Sequence, residues 1–127
     1  FAMPWHRRMK AELQEAGIET ICHICGDTSR ILPELAQVGF PAYELDYKTD
    51  MELAAQTLSG ISAVSGPIDP SGVMRFGSPE LVREKVLEIR RIFSGRRLLL
   101  CSGCALPPDT PPDNIRAFVA AAREIMA

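Results

Sequence analysis

The sequence predicts an α/β fold in which four short parallel strands alternate with helices. Three observations carry that expectation. Four apolar runs of strand length lie along the chain, at 20–26, 41–46, 62–66 and 97–101. Each is followed by a segment whose apolar residues recur at helical spacing, and several of those segments close on a glycine. The composition, 46% hydrophobic and 24% charged over 127 residues, is that of an ordinary globular domain with room for one core of its own. Strict alternation of this kind implies parallel strands joined by right-handed crossovers.

A helix over residues 4–16 precedes the first strand. Pro4 suits a first turn, Met9, Leu13 and Ala16 recur at helical spacing, and Gly17 is the stop. The first strand, Thr20-Ile21-Cys22-His23-Ile24-Cys25-Gly26, runs straight into a turn. Asp27, Thr28 and Ser29 offer capping oxygens to a second helix carrying Ile31, Leu32, Leu35 and Val38 and closed by Gly39. Pro33 must sit in its first turn or bend it. The second strand ends in Asp46, and Asp50 caps a short helix through Met51, Leu53, Ala54 and Leu58, broken at Gly60.

The third strand stops at Gly66, before Pro67-Ile68-Asp69-Pro70, and a connecting turn holds Val73, Met74 and Phe76. Ser78 as N-cap, Pro79 at the first helical position and Glu80 in the first turn then open the clearest helix of the chain. Leu81, Val82, Val86, Ile89 and Phe93 line one of its faces until Gly95. The fourth strand is nearly continuously apolar, as a strand covered on both faces should be. Thr110-Pro111-Pro112-Asp113 has the spacing of a capped helix start and opens a last helix through Ile115, Phe118, Val119, Ala122 and Ile125.

Two architectures fit this order: a small open doubly wound sheet, or half of an eight-stranded β/α barrel. In both, functional residues gather at the C-terminal ends of the strands. His23 and Cys25 end the first strand, Asp46 the second, Asp69 follows the third and Cys104 the fourth. Alternation along a strand sends His23 and Cys25 to one face and Cys22 and Ile24 to the other. An imidazole and a thiol side by side can give two ligands to zinc, which favours nitrogen and sulfur donors. The plain alternative is that these are core residues, since free cysteine is among the most buried types. Asp27 and Asp50 read as turn and cap residues, whereas Asp46 and Asp69 are candidates for orienting a ligand or a substrate group.

Several function classes recede at this level. The net charge is −2 and no Lys/Arg cluster exceeds a local pair, which argues against nucleic acid as a partner. The longest apolar run falls far short of a membrane span, and the start shows no signal-peptide pattern, so a cytoplasmic protein is expected. Four cysteines allow two disulfides in a secreted protein or four free thiols in a reducing compartment. The pairs Cys22-x-x-Cys25 and Cys101-x-x-Cys104 lie too far apart for a zinc ribbon, and neither opens a helix as a thioredoxin-like site would. An opening without Met, at the start of a helix, suggests a single α/β domain over 1–127 that is a piece of a longer protein.

Taken in order, Ile21-Cys22-His23-Ile24-Cys25-Gly26-Asp27-Thr28, Gly66-Pro67-Ile68-Asp69-Pro70, Phe76-Gly77-Ser78-Pro79-Glu80 and Gly103-Cys104-Ala105-Leu106-Pro107-Pro108-Asp109-Thr110-Pro111 resemble the C-terminal half of the uroporphyrinogen decarboxylase superfamily. Within it they look most like the methylcobamide:coenzyme M methyltransferase branch. The resemblance spans nearly the whole chain, is specific in its first and last motifs, and implies half of a (β/α)8 TIM barrel. It also implies a zinc ion held by His23, Cys25 and Cys104, a small-molecule thiol acceptor, and a methylated corrinoid as methyl donor on a partner protein. Uroporphyrinogen decarboxylases proper use no metal, and Cys104 favours the zinc-thiol branch; the alternatives are a metal-free decarboxylase-like protein or a non-catalytic half-barrel fragment. Pro67 stands where many relatives have Asn. Four strands cannot close a barrel, so the resemblance also implies a covering partner, either the remaining half of the barrel or a second copy.

Overall fold

A computed structural model describes residues 1–124. Five helices and four strands alternate: α1 (Ala2–Glu15), β1 (Ile21–Ile24), α2 (Leu32–Val38), β2 (Ala42–Leu45), α3 (Met51–Thr57), β3 (Ala63–Ile68), α4 (Pro79–Ile92), β4 (Leu98–Ser102) and α5 (Pro112–Glu124). The strands form one parallel sheet in the order β1-β2-β3-β4. A doubly wound sheet needs the strand order to reverse at a switch point. Consecutive order with right-handed crossovers instead puts every helix on the same face, the singly wound arrangement of a barrel segment.

The core lies between that face and the helices. Tyr43, Leu45, Val64 and Ile68 point down from β2 and β3 and meet Leu32 and Leu35 of α2, Ala54 of α3 and Val82 and Val86 of α4. Tyr43 is fully buried, and its hydroxyl donates to the Leu35 carbonyl at 2.5 Å and accepts from the Phe40 N–H at 3.3 Å. The phenol thus fills volume without leaving a polar atom unpaired, which in a buried site would cost about 1–3 kcal/mol.

Two of the expected caps form, at α3 and α4, whereas no side chain caps the start of α2 and the Thr110 hydroxyl donates to the Pro107 carbonyl instead. Asp50 accepts the Leu53 N–H at 3.0 Å and Ser78 accepts the Leu81 N–H at 3.3 Å. Asp50→Ala is expected to lower stability by about 1 kcal/mol, read as a lower urea midpoint with unchanged slope. Asp27 accepts from the N–H and hydroxyl of Ser29 and so shapes the turn into α2, which begins with a 3₁₀ turn at Ser29–Ile31.

Four details differ from expectation. β3 continues past Gly66 to Ile68, because the ladder to β2 ends at Ser65 and the missing N–H of Pro67 falls where no β2 partner remains. β4 is an edge strand covered on one face only, and Leu99 is half exposed on the other. The segment after β3 is a wide turn, Pro70–Arg75, whose hydrogen bonds run back five residues, from Met74 N to Asp69 O and from Phe76 N to Ser71 O. α5 is rotated from the face its apolar residues suggest: Asn114 and Ala121 are buried while Ile115 and Val119 are exposed. Ile125 lies outside the described residues. Met9 of α1 and Leu53 of α3 are likewise exposed, and α1 buries no side chain, being tied to α2 by Lys10 Nζ on the Val38 carbonyl and Arg7 on Gln37.

Candidate metal centre

The parallel register sets the site. His23 of β1 stands directly beside Glu44 of β2, and Glu44 beside Ser65 of β3. Alternation puts these side chains on the sheet face that carries no helices. Cys25 follows at the end of β1 on the same side, while Cys22 is half-buried against the core, and that burial pushes its thiol pKa up. The His23 Nε2 atom lies 3.1 Å from the Cys25 sulfur.

Cys104 belongs to the far end of the sheet, and two glycines bring it across. Gly66 in β3 has φ +99, and a Cβ there would stand 2.7 Å from the Leu45 carbonyl oxygen and 3.2 Å from the Gly103 Cα. Gly103 donates its N–H to the Ile68 carbonyl, and a Cβ on it would stand 2.9 Å from the Leu45 oxygen and 3.0 Å from the Tyr47 nitrogen. Real Cβ atoms do not sit under 3.0 Å from such atoms, so the chain leaving β4 can fold over the ends of β3 and β2 only as bare backbone. One nitrogen and two sulfurs, from His23, Cys25 and Cys104, thereby come within 4.8 Å of one another. The neighbouring Cys104 thiol, with smaller contributions from burial and from the Asp46 and Glu44 charges, holds the Cys25 thiol pKa above its ordinary value.

The other residues singled out from the sequence do different work. The buried Asp46 carboxylate accepts the Gly26 N–H at 2.8 Å and the Lys48 N–H at 3.1 Å, fixing the turn that carries Cys25. Asp69 accepts the N–H groups of Ser71 and Gly72 at 2.8 and 2.9 Å and caps the Pro70–Arg75 turn. The group beside His23 is Glu44, whose Oε2 lies 3.4 Å from Nδ1. Sequence reasoning missed it, although Glu44 is the only charged residue within β2 and shares the pleat position of His23. Cys101 is not in the core: its sulfur, on the uncovered face, pairs with the Ser65 hydroxyl at 3.2 Å and accepts the Gly66 N–H at 3.1 Å.

The donor set suits zinc. Imidazole nitrogen and thiol sulfur are the ligands zinc prefers, and three protein donors leave a tetrahedral ion one further position. Nδ1 beside Glu44 leaves Nε2 free to face the sulfurs, the arrangement in which a carboxylate fixes a ligand imidazole from behind. His23 and Cys25 are exposed and Cys104 half-buried, so an ion has a way in.

Among curated proteins, the methylated-thiol–coenzyme M methyltransferase of Methanosarcina mazei is 31% identical over 98% of this chain and 32% of its own length. The methylcobamide:CoM methyltransferase MtbA of Methanosarcina acetivorans is 26% identical over 97% and 35%. A uroporphyrinogen decarboxylase of Trichodesmium erythraeum is 32% identical over 98% and 35%. The chain thus spans about a third of the length of the curated relatives it matches. A solved methyltransferase from Methanosarcina mazei superimposes with a TM-score of 0.86 at 22% identity, over the whole of this chain and 36% of that one, which places these four strands in a (β/α)8 barrel fold. The uroporphyrinogen decarboxylase (URO-D) family model matches residues 1–125, and the chain belongs to that family.

Proposed function

We propose that His23, Cys25 and Cys104 hold a zinc ion, and that this chain is part of an enzyme moving a methyl group from a methylated corrinoid to a thiol. The observation that supports this most is the convergence of one imidazole nitrogen and two sulfurs within 4.8 Å at the strand ends. Bound there, zinc would supply a Lewis acid with an open position at which a substrate thiol is held deprotonated at neutral pH. The names of the two methanosarcinal relatives, one a methylated-thiol and one a methylcobamide methyltransferase, support the thiol and the corrinoid.

The chain's own residues divide the labour. Cys25 and Cys104 would bind as thiolates and release their protons to solvent, and His23 would offer Nε2 while Glu44 holds Nδ1. Asp46 sets the Cys25 turn through Gly26, and Asp69 sets the turn on the far side of the mouth. The sheet's uncovered face is where the other four strands of a barrel would stand. We read residues 1–127 as the C-terminal half of such a barrel, working in the cytoplasm with a corrinoid protein docked over its strand ends. Among the described residues no helix is long and apolar enough to cross a membrane.

Protein purified without chelator is expected to carry about one zinc per chain, the stoichiometry of a single catalytic site. Cys104→Ser is expected to lose it, measured by elemental analysis. A metal-free protein with full activity overturns the reading. The second reading, a metal-free decarboxylase, is favoured by the 32% identity to the Trichodesmium decarboxylase, and the same measurement separates the two.

A further inference from the structure

We propose that in the ion-free protein Cys25 and Cys104 close a reversible disulfide by exchange with a low-molecular-weight disulfide, so that zinc and that oxidant compete for the same two sulfurs. The competition rests on the zinc reading above; the disulfide does not. All four cysteines are free thiols, and the Cys25 and Cys104 sulfurs lie within 4.8 Å of each other at the mouth of the site. A disulfide needs about 2.05 Å. Asp46 holds the Cys25 turn through Gly26, so rotation about the Cα–Cβ bonds of the two cysteines is what closes that gap.

The other two thiols are placed away from this exchange. Cys22 points to the helix side of the sheet and packs against the core. The Cys101 sulfur is engaged by Ser65 and Gly66. Cys25 is the exposed member and Cys104 the half-buried one, which orders the steps. The Cys25 sulfur attacks one sulfur of the external disulfide, forming a mixed disulfide and releasing one small thiolate. The Cys104 sulfur then attacks Cys25 and releases the second. The two protein protons leave with the two small thiols; the external disulfide gains two electrons and the protein pair loses two. The closed pair retains neither thiolate, so the centre keeps His23 alone as a zinc donor.

The test treats chelator-stripped protein with oxidised glutathione, followed by acid quench, alkylation and mass spectrometry. The expected product has lost two hydrogens and contains a cross-linked peptide joining Cys25 to Cys104, and dithiothreitol reverses it. Cys104→Ser is expected to stop at one glutathione on Cys25, while Cys101→Ser proceeds to the cross-link unchanged. A mixed disulfide that persists in the parent protein, or a bond from Cys25 to Cys22 or Cys101, overturns the proposal and leaves the zinc reading standing. Zinc at about 100 times its dissociation constant is expected to slow the reaction about 100-fold, because only the ion-free fraction reacts. Cross-linking at an unchanged rate in zinc overturns the competition and, with it, zinc at these residues, while the disulfide stands.

Discussion

Gly103→Val is expected to weaken zinc binding by about 10- to 100-fold while the sheet and its helices stay folded. The position is not a ligand and makes no side-chain contact, so the effect would come from backbone geometry alone. A Cβ at Gly103 would press on the Leu45 carbonyl oxygen at 2.9 Å, the Tyr47 nitrogen at 3.0 Å and the Asp46 Cα at 3.3 Å. These are main-chain atoms of the β2 end, which cannot rotate aside as a side chain would. The chain after β4 must lift away instead, and Cys104 lifts with it. Competition against a chromophoric chelator reads the affinity, and far-ultraviolet circular dichroism reports the fold. Parent-like affinity in Gly103→Val would mean that Cys104 reaches the centre by another path or is not a ligand.

The second large effect is on stability. Asn114 is almost fully buried, and its Nδ2 donates to the carbonyls of Met74 and Gly77, each at 2.8 Å. It pins the start of α5 to the end of the wide turn after β3, and it turns α5 so that Ala121 rather than Val119 faces inward. Asn114→Ala removes both bonds and leaves one buried and one part-buried carbonyl without their donor, a loss of about 3 kcal/mol. For a domain of this size that lowers Tm by roughly 10 °C. A melting temperature within about 2 °C of the parent, less than the shift from 1 kcal/mol, would show that water or a shift of α5 replaces the amide. Asn114→Asp is expected to be no better, since one amide donor is exchanged for an acceptor facing two carbonyl oxygens.

The elements were legible in the sequence because their signals are local. Ser78-Pro79-Glu80 opens α4 through a hydroxyl, a fixed φ and a charge that act within one turn, and Asp50 does the same for α3. The pairing of His23 with Cys25 was legible for the same reason, since alternation is a property of one strand. Glu44 was not, because its place beside His23 depends on the register between two strands separated by α2. Nor was the work of Gly66 and Gly103, whose missing side chains matter only once β3 and the end of β4 are stacked over Leu45. Pro67 misled in the same way. It stops a strand that has partners on both sides, but the β2 ladder has already ended before it. The apolar stripe of α5 misled as well, since the buried Asn114 amide, not the count of aliphatic residues, decides which face turns inward.

The crossing of the β4 end over β3 and β2 has a topological consequence for the whole domain. Cys25 and Cys104 lie about 80 residues apart in the chain, at opposite edges of the sheet, yet meet at one point. Any bond made there, to a shared ion or between the sulfurs, closes a ring that contains most of the fold. Closing a ring of that size in the unfolded chain removes entropy equivalent to about 4.5 kcal/mol in the loop-closure treatment. The centre is therefore also a clasp: what happens at two sulfurs at the mouth of the site governs how readily β1 and β4 come apart, far from where the core is packed.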